Sequence, residues 1–225
     1  MSNFDWERFL RQWSEDLIST VTKSHGQLPP EVHQSGWWGY PGATEAQIQA
    51  AEVRLGITLP PSYREFFKVT NGWRQTTPFI NHICSLEEIE WFADTYPEWA
   101  NAFSSPHDDN VLNFSDHETS QNGAIAFSVS NEEYFIYGAE QDCSKFRLEY
   151  LPTALAISEK GDDVIYLLNP QVINDQGEWE AWFLGDWLPG ADRYRSFSEM
   201  MQAEYANFLE LREYPPQPIL PEETA

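Results

Sequence analysis

Apolar positions at the start of the chain recur every three or four residues: Trp6, Phe9, Leu10, Trp13, Leu17 and Val21. This spacing predicts an amphipathic helix whose stripe must dock on something. His25 to Tyr40 is rich in Gly, Pro and polar residues and reads as a linker carrying Trp37-Trp38 before the turn Pro41-Gly42. Thr44 and Gln47 form a capping box for a second helix, with Ile48, Ala51 and Leu55 on one face and Gly56 as its stop. Pro60-Pro61 suits the first turn of a third helix bearing Tyr63, Phe66, Phe67 and Thr70, and Asn71-Gly72 ends it. Ser85 and Glu88 repeat the capping-box pattern, which predicts a short helix through Leu86, Ile89 and Phe92, and Pro97 breaks the chain's local structure soon after it.

From Gly123 onward the period changes. Ala124 to Phe127, Tyr134 to Tyr137, Thr153 to Ile157, Val164 to Leu168 and Trp179 to Phe183 are short aromatic or β-branched runs bounded by turn residues, which predicts strands. Their close spacing without intervening helices favours an antiparallel arrangement over βαβ units. Ser196 and Glu199 cap a last helix with Phe197, Met200, Met201, Tyr205 and Phe208 on its apolar face. The expectation is an α+β fold, a mainly antiparallel sheet flanked by helices. It occupies one domain over residues 1–214, followed by a loose Pro-rich tail, 215–225.

Composition narrows the function. A chain of 225 residues with 41% hydrophobic and 15% aromatic content has the material for a sizeable core and is not a disordered segment. Against 13 Lys+Arg stand 36 Asp+Glu, a formal charge of -23, which opposes direct binding of nucleic acid. No apolar run is long enough to span a membrane, and the opening residues lack a secretory pattern, so a cytoplasmic location without membrane association is expected. Cys84 and Cys143 form no C-x-x-C unit.

The charges are unevenly placed. Residues 75–144 hold 13 acids and no Lys or Arg, and 161–192 hold 7 acids, again without a base. Sequence neighbours can hardly neutralise these acids, and keeping them unpaired raises self-repulsion without improving a core. Asp108, Asp109, Asp116, Glu118, Glu132, Glu133, Glu140 and Asp142 are therefore the candidates for a surface facing a basic protein partner.

Candidate chemistry is sparse. His107-Asp108-Asp109 and Asp116-His117-Glu118 contain ligand-type residues, but Gln121 stands where a helical zinc motif would need its second histidine. They read as a solvated acidic loop, with no metal. His82 and Cys84 would share a face if their stretch is a strand, the minimum for a thiolate with a base, yet no third residue orients them. A buried structural cysteine beside a surface histidine is the expected outcome. Nucleophile-elbow, phosphate-loop and dinucleotide motifs are lacking, so no catalytic residue and no cofactor is assigned. Acid pairs are frequent, but none is singled out as glycosidase-like.

The ordered set Gly42-Ala43-Thr44, Ile48, Glu52, Leu55-Gly56, Leu59-Pro60, Tyr63, Phe66-Phe67 and Asn71-Gly72 resembles the signature of the SUKH superfamily, the Smi/Knr-type domain. Later, Ala154 to Ile157, Gly161-Asp162, Val164 to Leu168, Trp179-Glu180-Ala181 and Ser196-Phe197 look like its closing strands and helix, while residues 97–123 match no part of it. The resemblance implies an α+β, generally non-catalytic domain that binds another protein. For bacterial members that is an immunity protein neutralising a cognate toxin by occlusion; for fungal members it is a regulatory or scaffold role. A basic, nuclease-type toxin suits the acidic charge. A metal-dependent enzyme built on the His107 to Glu118 clusters is the third reading.

Overall fold

Val164, Tyr166 and Leu168 point to one side of the longest strand and Ile165 and Leu167 to the other, and all five are buried. Such a strand needs cover on both faces, and it has it. The computed structural model describes residues 4–98, 129–161 and 164–213. Its architecture is α+β. Strands β3 (Glu90–Trp91), β4 (Leu155–Ala156), β5 (Val164–Ile173), β6 (Trp179–Gly185) and β7 (Ala191–Tyr194) form an antiparallel sheet in that order. A separate hairpin, β1 (Trp73–Thr77) and β2 (Ile80–Ile83), joins the sheet's end through the Ile83–Ser158 bridge and the bond from Cys84 N to Ile157 O.

The first face is covered by α1 (Trp6–Lys23), α3 (Glu45–Leu55), α4 (Pro61–Val69) and α7 (Phe197–Glu213). The predicted stripe of α1 is largely buried, and Trp6 packs on both Phe66 and Phe197. Thr44 and Gln47 make the expected capping box, and Gly56 takes the left-handed conformation that ends α3. Tyr63, Phe66 and Phe67 of α4 are fully buried. The first turn of α4 is held by Glu178, from the β5–β6 turn, whose carboxylate accepts from Ser62 N at 2.8 Å and Ser62 Oγ at 2.6 Å. Glu52 accepts from Leu59 N at 2.8 Å and pairs with Arg64, fixing the α3–α4 corner. Gly42 is required where the chain entering α3 passes the end of α4, because a Cβ would lie 2.1 Å from Lys68 O.

Several expectations are corrected. His25 to Tyr40 contains a short helix, α2 (Pro30–Ser35), started by Pro29-Pro30 and pinned by buried Val32. The Ser85–Glu88 box closes a turn instead of a helix, since Ile89 is drawn into the core and the chain enters β3 before α5 (Phe92–Thr95). Tyr134 to Tyr137 is not a strand: α6 (Asn131–Tyr134) ends within it, capped by Ser130. Thr153 to Ile157 is a strand only at Leu155–Ala156, after a 3-10 turn over Leu148–Thr153. The sequence pattern does not signal strands β1 and β7. The predicted strand Ala124 to Phe127 and the tail 215–225 lie outside the described residues.

Candidate functional site

Alternation along three neighbouring strands places Asn169 of β5, Glu180 and Trp182 of β6 and Arg193 of β7 on the second face of the sheet. Glu180 is only 1% exposed. Its carboxylate accepts four hydrogen bonds, from Asn169 Nδ2 (3.0 Å), Trp182 Nε1 (2.8 Å), Tyr134 OH (2.6 Å) and Tyr137 OH (2.8 Å). Arg193 Nη1 lies 3.9 Å from Glu180 and donates to the carbonyl of Tyr134, and its guanidinium sits 4.4 Å from the Tyr134 ring centroid. A buried charge so completely bonded is tolerated, and its directional bonds fix whatever supplies the donors. Burial first, and then the Glu180 carboxylate, push both phenols well above the ordinary tyrosine range, so they stay protonated donors.

Those donors come from one loop. Tyr134 and Tyr137, three residues apart, are drawn down onto the same carboxylate, and the two residues between them face outward: Phe135 is 45% and Ile136 39% exposed. Further along, the Gln141 side-chain amide donates to Arg193 O (2.7 Å) and accepts from Arg193 N (2.6 Å). It thus occupies the place a neighbouring strand would take on the β7 edge. Ala191 N donates to Cys143 O at 3.2 Å, and Gly190 permits that approach, since a Cβ there would lie 2.1 Å from the same oxygen. Arg147 holds the loop's start, donating to Val129 O and Asn131 Oδ1 while lying 4.5 Å from the Tyr134 ring centroid and 5.7 Å from that of Phe135.

Four of the sequence-nominated acids, Glu132, Glu133, Glu140 and Asp142, belong to this loop, and all four are exposed. They differ in freedom. Lys145 lies 2.9 Å from Glu133 and, with Ser130, lowers its pKa; the expectation that sequence neighbours leave it unpaired is therefore corrected by a base just past the end of the base-free run. Asp142 accepts from Ser144 Oγ (2.6 Å) and N (2.9 Å), which lowers its pKa too. Glu132 and Glu140 make no hydrogen bond or ion pair with the described residues. The other four nominees, Asp108, Asp109, Asp116 and Glu118, lie outside the described residues, as do His107 and His117. Sequence reasoning missed Phe135 and Ile136 because it read Tyr134 to Tyr137 as strand. The signal was the pair of tyrosines three apart, which can reach a common acceptor only from a helical or turn backbone.

A second concavity, of about 470 Å³, is lined by Tyr40, Gly42, Asn71, His82, Glu87 and Glu88. Its groups are tied to one another: His82 Nε2 lies 2.9 Å from Glu88, Asn71 Nδ2 donates to Glu87 at 3.0 Å, and Asn71 Oδ1 accepts from Leu86 N. Cys84 is buried, and that burial pushes its thiol up to about 12, so it holds its proton at neutral pH. Among the described residues no three His, Cys, Asp or Glu side chains are placed to hold a metal ion, and no helix is long and apolar enough to cross a membrane.

Compared with known families, residues 42–203 match the SMI1 / KNR4 family (SUKH-1). No curated protein matches the chain at a significant level. The matched span includes α3, α4, the hairpin, the whole sheet and the first turns of α7.

Proposed function

The chain belongs to the SMI1/KNR4 (SUKH-1) family, and from that premise we propose that it is an immunity protein, which binds a cognate toxin and neutralises it by covering its active site. The reading assigns no chemistry to the chain itself and places it in the cytoplasm. The observation that carries the partner's character is the loop over the second sheet face, which bears Glu132, Glu133, Glu140 and Asp142 in a chain of net charge -23. Such a surface attracts a basic catalytic domain. Toxins that cut nucleic acids present basic surfaces to phosphates, and acids held at fixed spacing can occupy the same place, which favours a nuclease-type partner. Asp108, Asp109, Asp116 and Glu118 belong to the same proposed surface.

The test is co-expression of the chain with the toxin domain encoded beside its gene. Growth is expected to be restored, the two proteins to co-purify, and their association to slow as salt rises. Continued killing at matched expression would sink the immunity reading. Protection combined with salt-independent association would leave immunity standing and remove the basic partner.

A further inference from the structure

Exposed large apolar side chains are few among the described residues, and two of them, Phe135 and Ile136, are neighbours. Their exposure is built in. The flanking tyrosines hold Glu180 from both sides of the pair, so neither Phe135 nor Ile136 can turn inward unless a hydroxyl leaves a carboxylate buried in the sheet. The backing is stiff as well: Phe135 meets the Tyr134 ring edge-on at 5.2 Å and lies over the fixed Arg147 guanidinium. A pair of apolar side chains presented on a rigid base, with acids before and after it, has the anatomy of an interface hot spot inside a polar rim.

We propose that Phe135 and Ile136 are the apolar anchors of the partner-binding surface, and that they seat in a hydrophobic recess of a basic protein while Glu132, Glu140 and Asp142 meet the positive rim around it. This rests on the immunity reading and adds to it the residues that hold the complex together. Charge selects the occupant. A second copy of the chain would bring the same acids against themselves in a two-fold interface and repel. A basic surface gains from the same arrangement. Acids and anchors then divide the kinetics, long-range charge setting the association rate and desolvated apolar contact the dissociation rate.

The experiment measures association and dissociation of the purified chain with an inactivated form of the toxin domain encoded beside its gene. Phe135→Ala and Ile136→Ala are each expected to speed dissociation about tenfold or more, and to leave the association rate, the salt dependence and the melting temperature unchanged. Val53→Ala, which truncates a still more exposed apolar residue on α3 across the sheet, is the control and should change nothing. If the parent binds and the Phe135→Ala/Ile136→Ala double variant dissociates at the parental rate, the anchors are wrong and immunity stands. If the parent does not bind, the immunity reading falls and the anchors with it. If the parent self-associates on concentration and the double variant does not, the occupant is a second copy and the proposal is overturned.

Discussion

The two faces of the sheet solve the same burial problem with different chemistry. On the first, four helices pack Trp6, Trp13, Tyr63, Phe66, Phe67, Phe197 and their neighbours into one core with buried side chains of β5 and β6, a dry aromatic layer in which the Nε1 of Trp6, Trp13 and Trp73 and the hydroxyl of Tyr63 find no hydrogen-bond partner among the described residues. On the second, short turns and the 129–147 loop cover Ile165, Leu167, Trp182 and Leu184, and the space beside them is filled by a hydrogen-bonded node around Glu180, in which only Nε and Nη2 of the neighbouring Arg193 lack a partner among the described residues. The first face derives its strength from area and shape, which tolerate any orientation of the covering element that fills the volume. The second derives it from directional bonds, which fix one loop conformation and with it which side chains reach solvent. A scaffold needs the first property and a recognition surface the second.

The largest effect that would break this contrast is on the first face. Phe67→Ala removes a fully buried ring packed against Tyr63 and Phe66 and should cost about 3–5 kcal/mol, read by denaturant unfolding. A loss below about 1 kcal/mol would show that the aromatic layer can collapse into the gap and is not the scaffold.

This face is also the legible one. The three-and-four period of α1, α3, α4 and α7, the capping box and the Gly56 stop of α3 are local signals, and each helix forms where its signal lies, although α4 ends at Val69, with Thr70 extended, before the expected Asn71-Gly72 stop. The second face is not legible. Tyr134 to Tyr137 carries a strand-like composition that a distant acceptor, Glu180, overrides across 43 to 46 residues of sequence separation. Strand β7 has only four residues, one of them the buried Arg193, and no alternation a window would detect. Four acids of the candidate surface are legible from charge alone, whereas Phe135 and Ile136 become visible only once the two hydroxyls are placed.

A buried carboxyl group lies on the dry face, and pH exposes it. Glu204 of α7 is buried beside Tyr166, whose hydroxyl donates to it, with Asn207 Nδ2 at 3.0 Å and Tyr166 OH itself 3.0 Å from Thr76 Oγ1. Burial first, with a smaller push from Asp192, raises Glu204 from 4.5 to about 7. The folded state therefore holds this proton more tightly than the unfolded chain does. Its contribution is complete below about pH 4.5 and is lost as pH rises to about 7, a swing on the order of 3 kcal/mol. Glu204→Gln keeps an acceptor for Tyr166 without the charge, so its stability relative to the parent should improve steadily from about pH 5 to about pH 8. A difference independent of pH would mean that water reaches this group and the face is not dry.

The same substitution made on both faces gives the sharpest comparison, because its sign should reverse. Tyr134→Phe removes a 2.6 Å donor to a buried carboxylate and should destabilise by about 1.5–3 kcal/mol. Tyr63→Phe removes a buried hydroxyl with no partner among the described residues and should be neutral or stabilise by up to about 1 kcal/mol. Losses of equal size would erase the distinction between area and directed bonds as the source of each face's stability.

The smallest effect on folding carries the most about function. Glu132 and Glu140 stand on the loop with no partner among the described residues, whereas Glu133 is paired with Lys145 and Asp142 caps a turn. Reversing the free acids therefore removes charge from the surface without cutting a bond that shapes it. The Glu132→Lys/Glu140→Lys double variant should melt with the parent and still neutralise slowly, because the anchors are untouched. Its association with the adjacent-gene toxin domain should fall several-fold at low salt and converge on the parental rate as salt shortens the screening length to about 8 Å and below. Reversal of Glu133 should instead lower the melting temperature slightly, through the lost Lys145 pair and the lost bond from Ser130 Oγ to its carboxylate, which makes it a poor probe of binding. Equal association rates for the parent and the Glu132/Glu140 variant at every salt concentration would mean that the second face is recognised by shape alone, and that the acids of this loop serve solubility.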